Sequence, residues 1–164
     1  MQETQREPVP RTDTGELDTA RAFLDFQRHC VLKKADGLSE EQLRHSPVAS
    51  GTSILGLVQH LAGAERFWFA HTVDGGAEPA DDVLSMTVPP GLAAAEVIDD
   101  YRAAIAVSDE VIERGGNAEA LTVVPIDGHP KTLRWVLAHM TAETARHAGH
   151  ADVIREQIDG ATGR

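Results

Sequence analysis

Cysteine is nearly absent from this chain. Its one thiol, Cys30 in 164 residues, cannot close an internal disulfide, which excludes a disulfide-stapled secreted scaffold. Cys30 sits beside Val31 in an apolar helical pattern and is expected to pack as a small hydrophobe. Basic residues are also in deficit: 15 Lys and Arg face 26 Asp and Glu, for a formal charge of −11. No cluster of cations interrupts that balance, so nucleic acid and anionic membrane are poor partners, because binding a phosphate backbone requires such a cluster. No apolar run is long enough to span a bilayer, and the first residues, MQETQREPVPRTDTGE, lack the apolar segment of a signal peptide. A cytoplasmic protein is expected. Internal repeats and low-complexity linkers are missing too.

What is present is ordinary for a globular chain, with 41% hydrophobic and 25% charged residues and a length suited to one core. Residues 1–13 are polar, carry Pro8 and Pro10 and show no period, which predicts a disordered arm ahead of a single domain over 14–160. Asp13-Thr14-Gly15-Glu16 has the form of a capping box, as does Ser39-Glu40-Glu41-Gln42, where a single helical turn is expected. Apolar spacing predicts long helices near 14–36, 52–74, 92–114 and 132–159, with stops at Gly37, Gly75-Gly76 and Gly115-Gly116. Residues 74–91 are too rich in Gly, Pro and Asp for a helix, yet long enough to retrace one, which permits a parallel crossover. The predicted fold is therefore all-α, an up-down-down-up four-helix bundle. Leu121 to Val124 has strand-like composition but no partner run, and is expected to pack as an extended segment. Asp127-Gly128-His129-Pro130 reads as a turn before a helix capped by Thr132.

The last helix carries the chemistry. At about 100° per residue, His139, Glu143, His147 and His150 fall on one side, beside Leu133, Val136, Met140, Ala151, Ile154 and Ile158. Ionisable groups in a core stripe are costly unless paired, and a metal ion is a common partner for a Glu and a His one turn apart. The stripe Leu57, His60, Ala64, Phe67 points a further imidazole inward. His60, Glu143 and His147 can thus supply three ligands and leave a position open for water or substrate. By spacing alone, His139 could replace Glu143 and His150 could replace His147. The donors suit zinc, iron, nickel or manganese. His29, His45, His71 and His129 have no partner at ligand spacing and are expected at the surface or at caps. Arg66 and Arg146 could each reach an anionic substrate, and Trp68 and Trp135 are expected as core or pocket wall.

These residues resemble a known family. Residues 53–68 (SILGLVQHLAGAERFW), 132–139 (TLRWVLAH) and 143–152 (ETARHAGHAD) are similar to the DinB-like superfamily, and more closely to its mycothiol-dependent branch. The resemblance implies a four-helix bundle with a divalent metal held by His60, Glu143 and His147, as in the His, Glu, His set of mycothiol-dependent maleylpyruvate isomerase. It places His150 beside the metal or in the substrate pocket, where with Arg146 it is expected to serve catalysis. Isomerase relatives carry a further C-terminal domain for which no room is expected before Arg164, so the implied reaction is thiol transfer. Mycothiol would be the thiol cosubstrate and an electrophilic small molecule the acceptor. A metal-dependent hydrolase and a non-catalytic metal- or ligand-binding stress-response bundle are the alternatives. A homodimer is expected from Phe67, Trp68 and Phe69, which run around the second long helix.

Overall fold

The computed structural model describes residues 7–163. Its helices are α1 (Glu16–Ala35), α2 (Glu40–Arg44), α3 (Ile54–Glu65), α4 (Ala94–Gly115) and α5 (Leu133–Asp159), and α3 continues without a break into a π-helical stretch, Arg66–Val73. Among the described residues there is no strand, only two isolated antiparallel bridges, Leu121 with Thr132 and Ile126 with His129. The chain is all-helical, as its periodicity predicts. Of the arm expected over 1–13, residues 1–6 lie outside those described; residues 7–13 carry no regular structure, although Glu7 pairs with Lys33 at 2.9 Å.

Local chemistry explains most helix ends. Ser39 Oγ accepts from the Gln42 amide at 3.2 Å while Gln42 Oε1 accepts from the Ser39 amide at 2.9 Å, a complete capping box on α2. Ser53 and Thr132 cap α3 and α5 by accepting from the amides of Gly56 and Trp135. Gly116 and Gly160 close α4 and α5 in the left-handed conformation, with φ of 69° and 77°. The expected box at Asp13 does not form. Gly15 is the residue before α1 and no side chain caps it; Glu16, which should have turned back to the cap, is drawn to Arg134 on α5.

The second long helix departs from the expected regular α geometry over its last eight residues. There the Asp74 amide reaches the carbonyl five residues back, on Phe69, at 3.0 Å. On this wider turn Trp68 meets the rings of Trp135 and His139 on α5. Of the three rings expected at a dimer surface, Phe69 is instead fully buried in the core.

α1 packs chiefly on α5 and α3 on α4, with α3 also against α5. The connection after α3 lies along that helix because two glycines let it approach. A Cβ on Gly63 would stand 1.8 Å from the Val83 carbonyl oxygen, and one on Gly56 would stand 2.4 Å from that of Met86. Gln59 Nε2 then donates to the carbonyls of Ser85 and Thr87 at 3.2 and 2.8 Å. Gly63→Ala is expected to cost about 1–3 kcal/mol through overpacking, read as a lowered urea midpoint. An unchanged midpoint would mean that the segment lifts away freely.

The segment at Leu121 is held by its backbone and by one buried side chain, Thr122. The amides of Val123 and Val124 donate to the carbonyls of Val73 and Thr72 at 3.2 and 3.0 Å, while the Leu121 and Val123 side chains are exposed. The expected extended segment is there, packed inward through the buried Thr122 while Leu121 and Val123 face solvent. The turn at Asp127-Gly128 is tight, with both residues at positive φ, 50° and 78°, and with the amides and carbonyls of Ile126 and His129 exchanging bonds.

Candidate metal centre

Two helices bring the centre together. α3 is buried on nearly every side, with Leu57, Leu61 and Ala64 around His60, so the His60 backbone is fixed by packing. On α5, Met140, Thr144, His147, Ala148 and Ala151 are buried and hold the face that meets α3. Glu143 and His147, one turn apart, project from that face toward the same point. The ligand atoms of His60, Glu143 and His147 all lie within 4.8 Å of one another.

Glu143 Oε1 is the hub, 3.1 Å from Nε2 of His60 and 3.0 Å from Nε2 of His147. The two imidazoles meet edge to face with centroids 4.8 Å apart. His60 Nδ1 lies 2.7 Å from the Leu84 carbonyl oxygen. A carbonyl only accepts, so Nδ1 carries the proton and the Nε2 of a neutral ring is left as a lone pair. That lone pair faces a carboxylate oxygen, also an acceptor. Two acceptors at this distance are stable only with a proton or a cation between them, and two imidazoles with one carboxylate are a donor set that a divalent ion accepts.

The titration of the ligands agrees with this. Burial works against the charge on Glu143, but His60 and His147, whose Nε2 atoms donate to it when protonated, outweigh burial and hold the carboxyl below its ordinary pKa. Burial lowers the pKa of His147 despite the opposing pull of Glu143. Both groups therefore favour the deprotonated forms that bind metal.

The remaining candidate residues separate by position. His150 is exposed and its Nδ1 is 3.4 Å from Nδ1 of His147, close enough to orient that ring from behind. Arg146 is exposed on α5, between Glu143 and His150. His139 does not join the converging ligand atoms; its ring stacks on Trp135, with centroids 5.4 Å apart and planes 6° from parallel. Arg66 pairs with Asp100. His29 pairs with Glu7 at 3.3 Å, and His71 Nδ1 donates to the Gly76 carbonyl at 2.9 Å at the end of the π-helical stretch. Sequence reasoning missed the Leu84 carbonyl, which selects the tautomer of His60. Its only trace in the sequence is the pair Gly56 and Gly63, seven residues apart on one side of α3.

Helices that converge two imidazoles and a carboxylate define an all-α protein with a candidate metal centre. The sequence profile of the mycothiol S-transferases matches residues 19–160, and the chain belongs to that family. Among curated proteins the chain has no match.

Proposed function

We propose that this chain is a metal-dependent mycothiol S-transferase in which His60, Glu143 and His147 hold a divalent ion, zinc by preference and nickel or iron as alternatives. The reading is carried by one observation: in a chain of this family, an acceptor nitrogen of His60 faces an acceptor oxygen of Glu143, with His147 completing the set. A bound ion would supply a Lewis acid that favours the thiolate form of the cosubstrate's sulfur.

The chain's own groups do the rest. Leu84 fixes the His60 tautomer, and His150 steadies His147. His150, at the exposed edge, receives the thiol proton and passes it to solvent. Arg146, one turn before His150, holds an anionic part of a substrate. The thiolate forms a carbon–sulfur bond with the acceptor, and the leaving group departs with the bonding pair, so the products are a thioether, the leaving anion and one proton. The scaffold we infer is an up-down-down-up bundle. Cross-helix ion pairs support it: Glu16 with Arg134 and Lys34 with Asp152 rise together along α1 and α5, as Arg66 with Asp100 and Asp74 with Arg114 do along α3 and α4.

Zinc-loaded protein is expected to join mycothiol to a chlorinated dinitrobenzene or a bimane well above the uncatalysed rate, with glutathione a poor substitute. If mycothiol neither binds by calorimetry nor reacts above background with several electrophiles, the transferase reading fails. Binding without turnover would favour a ligand-binding role.

A further inference from the structure

In a sequence only 4% aromatic, both tryptophans meet at one place. Trp68 lies with its ring centroid 4.4 Å from that of His139 and 5.6 Å from that of Trp135, and Trp135 stacks on His139. Trp135 is nevertheless 40% exposed, so part of its ring stays open to solvent. Its face is attended by a movable cation, Lys131 Nζ, 5.9 Å from the ring centre.

The cluster lies on the same seam between α3 and α5 as the metal centre. Contacts step forward along α3 as they step back along α5: His60 meets Glu143 and His147, and Trp68 meets His139 and Trp135. His139 precedes Glu143 by one turn, about 6 Å along the axis, roughly the span of one substituted ring. The seam is open to solvent, since Glu143 keeps 22% of its side-chain surface and Trp135 more.

We propose that Trp68, His139 and Trp135 form the acceptor subsite, which takes planar, conjugated electrophiles; this rests on the thiol-transfer reading of the neighbouring centre. The withdrawing groups that make an acceptor carbon electrophilic also make its π face electron-poor, and such a face stacks well on an electron-rich indole. Lys131 then meets the withdrawing oxygens. A ring held there presents its reactive carbon toward Glu143 and His147. With chlorodinitrobenzene, the carbon–sulfur bond forms as the carbon–chlorine bond breaks and chloride leaves with the electron pair.

The test separates binding from chemistry. The unreactive probe 2,4-dinitroaniline is titrated into zinc-loaded protein, with tryptophan fluorescence read against free tryptophan; all of the signal comes from the cluster, because it contains both tryptophans of the chain. Saturable quenching is expected in the parent protein and in His147→Ala. Probe affinity should fall about tenfold in Trp135→Leu, with Trp68 reporting, and should largely survive in Trp135→Phe, which keeps a ring. The ratio of kcat/KM for chlorodinitrobenzene to that for iodoacetamide should fall about tenfold in Trp135→Leu. Absence of saturable quenching overturns the subsite, as does a Trp135→Leu variant with unchanged probe affinity and ratio. A Trp135 variant that alters only self-association overturns it in favour of an interface. If the probe binds as expected and no acceptor turns over, the ring subsite stands and the transferase reading falls.

Discussion

Glu143→Ala is expected to lose metal and thiol transfer together while the fold survives. The carboxylate reaches both imidazoles, 3.1 and 3.0 Å from their Nε2 atoms, so its removal leaves two neutral nitrogens without the negative charge that compensates a dication. Residues that merely orient a metal ligand typically alter affinity by about 10–100-fold; loss of a ligand should exceed that range, and turnover should fall by more than about 100-fold. The apo fold has little reason to weaken, because Glu143 is only partly buried and α5 is held by Met140, Thr144 and Ala148 around it. Elemental analysis beside circular dichroism decides the matter. Stoichiometric metal in folded Glu143→Ala would show that other residues hold the ion. His150→Ala is the informative companion: it should keep metal with affinity weakened by about 10–100-fold, because its contact is with His147 rather than with the ion site.

Glu65→Leu should destabilise the chain by about 3–5 kcal/mol, more than the overpacking expected of Gly63→Ala. Glu65 is fully buried, and Arg28 is 2% exposed. The two meet in a fork, Nε to Oε1 at 2.8 Å and a terminal nitrogen to Oε2 at 2.6 Å. Asp25 and Asp109 accept from the other arm of the guanidinium at 2.7 and 2.9 Å, tying α1 to α3 and α4. Burial opposes the charge on Arg28, and its bonds to Glu65 prevail, raising its pKa. Beside this pair, burial first and then Glu65 raise the pKa of the Tyr101 hydroxyl. Leucine at 65 strands the guanidinium against two partly exposed acids, whereas Arg28→Met with Glu65→Leu removes both charges and should recover most of the loss. Urea unfolding of the two single variants and the double variant reads the coupling. A single variant within about 1 kcal/mol of the parent, or a double variant as unstable as the sum of the singles, would show that the two charges do not depend on each other.

The pair was partly legible. Glu65 is the one acid in the largely apolar run ILGLVQHLAGAERFWF, and an acid there signals a buried partner. Nothing in the α1 pattern singles out Arg28, because its position is decided by which face of α1 meets α3. The Asp13 box failed for a similar reason: a local cap competes with a cross-helix ion pair, and the competitor, Arg134, is remote in sequence.

What the sequence determined by itself follows from short-range physics. Helical period, the Ser39, Ser53 and Thr132 caps and the glycine stops depend on neighbours within a turn or two, so the number, order and approximate bounds of the helices could be read directly. The same periodicity put Glu143 and His147 on one face and turned His60 inward. The tertiary structure decided the rest. Spacing left His139 and His150 as possible ligands, and only the approach of α3 to α5 draws the ligand atoms of His60, Glu143 and His147 together while Trp68 and Trp135 engage His139. The π-helical turn, the Leu84 carbonyl on His60 and the Arg28 to Glu65 fork likewise depend on contacts between residues 24 to 37 positions apart or on packing around them. Such contacts carry no period along the chain, because they are set by how helices meet and not by how any one of them is wound.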